Sequence, residues 1–507
     1  MNIFVISDLH LGGRPHSSEE NNGVPGSQIN SSYGHLADFI DWLASGDACE
    51  GSVELVVNGD IVDFLMDDDY GAGILSLPWT NNEDTVIVKL KKIIERTREG
   101  RGRGPFDAMR DFLKKDHTLT LMLGNHDVEL SLPKVRKYLT GFLKDKNGNL
   151  NFIYDGEAYT RGNLLIEHGN RYDRYNIIDY STLRQERSAM SRGLPLSQSN
   201  RSSGRFKPPA GSFLVTEVFN LLKKEYRFLD LLKPETGAVV PLLLALHPKL
   251  EHVIHALLEY SKVSSKIISY NMINPAEPLR DGQLTADNIE SPLSLHLLLQ
   301  QEIGTAADLF SLSHYSGSGQ LGPKDLLKNI KYLSSNISLY LMDNDNLFFK
   351  WKTDEKKRKQ LLAALRDLQN DCSFQLSCET PEYFDAAKAL SKNGRFTTII
   401  FGHTHLPKYI DFNVNQKFQA IYINTGTWAD IIRIPEEIIT GNNNAKNILE
   451  KFVVSMQKNQ LQEYITRYLT YAHVILDNRD NVISAQLYSF VNKKKTRSLP
   501  FSAVENI

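Results

Sequence analysis

The sequence predicts an α/β fold interrupted by a large, mainly α-helical insertion. Three observations carry this. Short apolar strands alternate with amphipathic helical segments over residues 1–130. The periodicity then turns helical from 213 to 393. Strand-like runs return after 394. The expected division is a first core part over 1–183, a basic loop plus helical insertion over 184–393, and a second core part over 394–507 ending in a β-hairpin.

Taken in order, "NIFVIS" reads as a strand and "YGHLADFIDWLAS" has helical spacing. "VELVVN" is a second strand. "EDTVIVKLKKIIERTRE" is a helix with acids in its first turn, and "PFDAMRDFLKK" is a helix with Pro105 near its start. "LTLML", "NFIYD" and "NLLIEH" supply further strands. Residues 184–211, rich in Ser, Gly, Pro and Arg, read as a loop. "FLVTEVFNLLKKEYRFLDLL" carries a helical stripe, and "DEKKRKQLLAALRDLQND" is a polar-faced helix. "RFTTIIF", "FQAIYINT", "LTYAHVILD" and "NVISAQLYSFV" are strands, the last two joined through the turn "NRDN" as a hairpin.

Bulk chemistry excludes some classes. The 507 residues are 41% hydrophobic and 23% charged, as in an ordinary globular protein. Lys plus Arg (58) nearly balances Asp plus Glu (60), so the net charge of -2 gives no global pull toward nucleic acid or acidic membranes. Cys49, Cys372 and Cys378 form no CxxC pair, which points to a reducing, intracellular setting. "MNIFVIS" lacks a basic leader region. No apolar run reaches the roughly 18 residues of a membrane span; "AVVPLLLAL" is short and reads as buried core. The expected location is cytoplasmic, without a transmembrane segment.

The chemistry sits where strands end. Asp8 and His10 follow the first, and Gly59, Asp60 and Asp63 follow the second. Gly124, Asn125, His126 and Asp127 follow the third; His168 follows "NLLIE", and Gly402, His403 and His405 follow "TTIIF". The carboxyl edge of an open α/β sheet is where ligands bind. Carboxylate, imidazole and amide oxygen suit Mn, Fe, Zn or Ni rather than a thiolate site. One carboxylate can bridge two ions about 3.5–4 Å apart, which together activate water and clamp a phosphoryl group. Any one of these short motifs recurs by chance as a turn; five in order after five strands do not.

The ordered pattern D-x-H, G-D-x-x-D, G-N-H-D, H, G-H-x-H resembles the calcineurin-like metallophosphoesterase family, with no substitution. The resemblance implies a two-sheet β core flanked by helices. It implies two divalent ions, manganese foremost, and in-line attack of a metal-activated hydroxide on a phosphoester. Carried over residue by residue, it places Asp8, His10 and His405 on one ion, and Asn125, His168 and His403 on the other, with Asp60 bridging. His126 matches the catalytic histidine, while Asp63 and Asp127 match carboxylates that orient histidines.

The expected substrate is a phosphodiester or nucleotide-type ester. Alternatives are a DNA or RNA nuclease acting with a partner protein and a UDP-diacylglucosamine hydrolase-like pyrophosphatase, although those hydrolases usually carry Arg where this chain has His126. A non-catalytic scaffold is the remaining alternative. Arg171 and Arg174 can fork onto phosphate oxygens or pair with Asp173 and Asp179. The basic stretch Arg184, Arg187, Arg192, Arg201, Arg205 and Lys207 can capture a nucleotide or nucleic acid, or serve as a solvated linker. The insertion can be a substrate cap, a dimerisation element or a partner-docking module. His16 reads as a loop residue.

Overall fold

The computed structural model describes residues 1–14, 27–66, 77–98, 100–144, 148–173, 175–194, 206–209, 211–212, 215–223, 226–234, 238–246, 355–414, 418–442, 444–491 and 495–498. Its first strands are β1 (Asn2–Ile6), β2 (Val53–Asn58), β3 (Thr118–Met122), β4 (Leu150–Ile153), β5 (Tyr159–Arg161) and β6 (Leu164–Ile166). There follow β7 (Leu232–Lys233), β8 (Thr398–Phe401), β9 (Pro407–Val414), β10 (Phe418–Thr425), β11 (Ile431–Arg433), β12 (Ile465–Thr466), β13 (Thr470–Leu476), β14 (Val482–Val491) and β15 (Lys495–Ser498). They form a seven-stranded sheet ordered β15-β14-β13-β1-β2-β3-β4, a five-stranded sheet ordered β5-β6-β8-β10-β9, and a small sheet β12-β11-β7.

β1, β2, β3 and β4 run parallel, and the apolar run of β2 is buried throughout. Side chains alternate faces along each strand. Ile3 and Val5 of β1 point to a core shared with Leu164, Ile166, Ile400 and Ile423 of the second sheet. Phe4 and Ile6 point the other way, onto the helices α1 (Tyr33–Ser45), α2 (Glu83–Arg96), α3 (Pro105–Leu113) and α4 (Pro133–Leu143). Two stacked sheets with helices outside result, and the helix Pro381–Ser391 covers the far face of the second sheet through Ala387 against Ile399, Phe401 and Tyr422. Each fully buried aliphatic side chain contributes roughly 1.5–3 kcal/mol to this sandwich. The parallel registers align the strand ends: Ile6 pairs with Val57, and Asn58 with Met122. In the second sheet Ile166 and Ile423 both pair with Ile400.

Several expectations need correction. The chain is not a loop from 184: helix α5 (Tyr180–Ser191) runs through it, capped by Asp179, whose side chain accepts from Thr182 N. Leu183 is buried there with Val128, Ile178 and Phe206. Arg187 is also buried; it donates to Tyr154 O and lies over the Tyr154 ring. Side-chain packing overrides the Ser-rich composition. Arg201 and Arg205 lie outside the described residues.

The stripe from 213 to 232 is broken rather than continuous, with a π turn at Val215–Phe219, a short α segment at Asn220–Lys223 and a 3-10 turn at Arg227–Asp230. Residues 238–246 are core as expected, in the helix Val240–Leu246. The helix Glu355–Arg366 forms as expected. Residues 247–354, most of the insertion, lie outside the described residues. What is described of the insertion packs with a later segment: Leu222, Leu242, Leu361 and Leu365 share one core with Ile432, Phe452, Val453 and Met456. Residues 432–461, inside the expected second core part, therefore pack with the insertion.

Cys372 and Cys378 form a disulfide, leaving Cys49 free. A six-residue separation without a CxxC pattern gave no sequence signal for it, and the cysteines no longer argue for a reducing compartment. Among the described residues no helix is long and apolar enough to cross a membrane.

Candidate metal centre

Beyond β1 and β2 the two chains continue side by side: Asp8 N donates to Gly59 O, His10 N to Asp60 O and Leu11 N to Ile61 O. Asp8, His10, Asp60, His403 and His405 all have left-handed backbone, with φ from 42° to 71°. Such backbone costs about 1–3 kcal/mol per non-glycine residue and persists only where the surroundings enforce it. Five strained residues meeting in one place mark a functional site. The glycines before them have a steric reason. A Cβ on Gly124 would fall on Asp60 Oδ1, and one on Gly59, whose φ is 81°, would strike the His168 ring.

The side chains converge in three overlapping groups: Asp8, His10 and His405; His10, Asp60 and His126; and Asp60, His168 and His403. His10 Nε2 lies 2.9 Å from His405 Nε2, 3.7 Å from Asp60 Oδ2 and 4.0 Å from Asp8 Oδ1. His405 Nε2 is 3.5 Å from Asp8 Oδ1, and His168 Nε2 is 3.3 Å from Asp60 Oδ2. Asp60 thus belongs to two groups.

Three of the imidazoles have one nitrogen committed to an oxygen. His10 Nδ1 donates to Asp63 Oδ2 at 3.1 Å, and His168 Nδ1 to Asn58 O at 2.8 Å. His403 Nε2 donates to Asp173 Oδ2 at 3.0 Å, which leaves Nδ1 as its lone-pair nitrogen. Fixing one ring nitrogen on an oxygen presents the other as a ligand. Asn125 Nδ2 donates to Asn176 Oδ1 at 3.2 Å, while Asn125 Oδ1 and His168 Nε2 are buried without a hydrogen-bond partner. Buried polar atoms are rarely left so, unless something else takes them. A donor set of carboxylate, imidazole and amide oxygen with such orphaned atoms fits divalent cations.

Charge balance agrees. Burial pushes the Asp60 carboxyl up, but His168, His126 and His10 outweigh it and hold it well below the usual range. Burial, then the charges of Lys233 and His10, push His405 well down, so it is neutral and able to ligate.

Asp63 lies behind the cluster. Its Oδ1 accepts from Leu65 N and Met66 N at 2.9 and 3.2 Å, while Oδ2 faces His10 and His126. His126 Nδ1 is 2.9 Å from Oδ2 but off the line of a hydrogen bond, an ion-pair contact rather than an aligned donor. Burial pushes His126 down; Asp63 and Asp60 outweigh it and raise its pKa to about 10, against the charge of Lys223. His126 is the most open of these rings at 20% exposure.

Asp127 departs from expectation. Its oxygens accept from backbone amides, Gly124 N at 2.8 Å and Ile61 N at 2.7 Å, tying the GNHD turn to the GDIVD turn. It holds backbone rather than orienting an imidazole. Arg171 pairs with Glu167 at 3.1 Å and donates to Gly156 O. Arg174 and His16 lie outside the described residues. Asp173 and Asn176, bonded to each other at 2.6 Å, were missed as site residues. The sequence named Asp173 only as an arginine partner. Its one signal was its place in "HGNRYDRYN", directly after a candidate ligand.

The family model for calcineurin-like phosphoesterases matches residues 1–207. Residues 1–207 are thus a calcineurin-like phosphoesterase segment, and that family consists of metal-dependent phosphoester hydrolases. No curated protein matches the sequence. His403 and His405 lie beyond the matched segment, and the fold brings them into the same cluster.

Proposed function

We propose that the protein hydrolyses a phosphodiester or nucleotide-type phosphoester using two divalent ions, manganese foremost. Asp8, His10 and His405 would hold one, Asn125, His168 and His403 the other, and Asp60 both. The observation that supports this most is the meeting of all five motif segments at one sheet edge, with Asp60 common to two ligand groups. Two such ions, when bound, lower the pKa of water and neutralise charge on the phosphoryl oxygens.

The chain's own residues then have distinct tasks. His126, steadied at Nδ1 by the Asp63 carboxylate, gives a proton through Nε2 to the departing oxygen. Asp63 also fixes the His10 ring, so one carboxylate aligns a ligand and the acid together. Asp127 keeps Asn125 and His126 on their turn through Gly124 N and Ile61 N. Asp173 orients His403, and Asn176 turns the Asn125 amide so that its oxygen faces inward. Arg187 is taken up by Tyr154, which counts against the basic stretch as a nucleic-acid grip.

The test is a Mn²⁺-dependent hydrolysis panel of phosphomonoesters, diesters, pyrophosphate-linked nucleotides and DNA. Diesters or nucleotides should turn over best. His126→Ala should lower kcat by about 10²–10⁴ while keeping its metal. Full activity of His126→Ala, or hydrolysis of none of the panel, would refute the reading.

A further inference from the structure

The insertion grips the turn that follows Asp63. Asn220, at the start of the short α segment Asn220–Lys223, donates through Nδ2 to Leu65 O at 2.7 Å. Met66 is buried in the core that Leu222, Leu242 and Leu361 of the insertion form. Asn220 is itself aimed. Lys223 Nζ donates to Asn220 Oδ1 at 3.3 Å and pairs with Asp230 at 2.5 Å. The amide therefore turns its oxygen to the insertion and its N–H to the turn. Leu65 is 2% exposed and Asn220 5%, and a buried carbonyl is costly to leave unpaired.

The same turn carries the carboxylate behind His126. Leu65 N and Met66 N donate to Asp63 Oδ1, and Asp63 Oδ2 faces His126 Nδ1 at 2.9 Å. Phe64 N donates to His126 O at 3.2 Å, so the turn meets His126 at its backbone as well as its ring. Asp63 N is tied to Leu11 O. The near end of the turn is thus fixed by the phosphoesterase body and the far end, at Leu65 and Met66, by the insertion. Asp63 moves with the amides of the far end. A misplacement of about 1 Å in catalytic geometry can cost about 10²-fold in rate.

We infer that Asn220 is a positioning residue for the reaction: through Leu65 O it fixes the 63–66 turn so that Asp63 holds His126 in place for the departing oxygen. The inference rests on the reading of His126 as the acid and deepens it. It gives this part of the insertion a task, as a brace on the catalytic turn. Asn220 lies outside the five motif segments and beyond the residues that the family model matches.

The test uses the full chain loaded with Mn²⁺ and two substrates, the phenyl and p-nitrophenyl esters of thymidine 5′-phosphate. Phenolate is the poorer leaving group and needs the proton more. Asn220→Asp keeps the shape and an oxygen toward Lys223 Nζ but removes the donor to Leu65 O. It should lower kcat on the phenyl ester about ten-fold, the worth of one hydrogen bond, with a smaller loss on the p-nitrophenyl ester and KM within about two-fold. In a His126→Ala background the same change should cost nothing further on the phenyl ester, because effects that pass through one group do not add. Asn220→Ala buries no new charge; it should give the same split and serves if the first variant does not fold. Unchanged kcat, an equal loss on both esters, or a loss that persists in full in the His126→Ala background overturns the role of Asn220. Hydrolysis of neither ester by the unaltered protein, or a His126→Ala loss equal on the two, overturns instead the acid reading beneath it.

Discussion

Asp63→Asn separates the roles of one buried carboxylate. Asn keeps an oxygen for Leu65 N and Met66 N, so the backbone turn survives. The other oxygen becomes an amide that donates toward His10 Nδ1 and His126 Nδ1. His10 must then accept at Nδ1, which puts its proton on Nε2, the nitrogen aimed at Asp8, Asp60 and His405. The hydrogen bond to His10 is worth about 1.5–3 kcal/mol and the ion-pair contact to His126 is lost with it, so kcat should fall by at least about 10–100-fold. Metal affinity should fall about 10–100-fold. Mn²⁺-dependent hydrolysis of bis(p-nitrophenyl) phosphate reads the first effect, and calorimetric Mn²⁺ titration the second. Thermal melting of the metal-free protein should move little. Wild-type kcat together with wild-type Mn²⁺ affinity would refute the assignment of Asp63.

Three further outcomes are expected. Gly124→Ala places a methyl on Asp60 Oδ1 and should abolish Mn²⁺ binding in titrations of protein that remains folded by circular dichroism. Asp173→Ala frees the His403 ring and should lower Mn²⁺ affinity about 10–100-fold, again by calorimetry. His473, stacked on Phe4 at 4.3 Å with Nε2 bonded to Asn2, is pushed by burial to a pKa of about 4. Its folded pKa lies below the unfolded value of about 6.5, so its contribution is complete above pH 6.5 and is lost as pH falls toward 4. The full shift corresponds to about 3 kcal/mol, and partial exposure brings it nearer 2. Denaturant unfolding of His473→Phe should therefore have a shallower pH dependence between 4 and 6.5 than the unaltered protein; parallel curves would count against it.

The candidate ligands are legible in the sequence because motif residues must leave strand ends at fixed offsets. Asp8, Asp60, Asn125, His168 and His403 each follow a strand that periodicity identifies. Supporting contacts obey no such spacing. Asp173 reaches His403 across 230 positions, and His168 is fixed by the carbonyl of Asn58, a group with no sequence signature. Asp127 shows the converse: its motif position was plain, but only the structure reveals that its partners are amides. Helix α5 was hidden because its Ser and Arg composition outweighed Leu183 and the buried Arg187, whose contacts are long-range. The bond from Asn220 to Leu65 O spans 155 positions, which local pattern cannot supply.

The central claim is a pair of ions sharing Asp60, and anomalous diffraction from Mn²⁺-loaded crystals tests it most directly. Two peaks are predicted, one among Asp8, His10, Asp60 and His405, the other among Asp60, Asn125, His168 and His403. A single peak, or peaks away from Asp60, would contradict it.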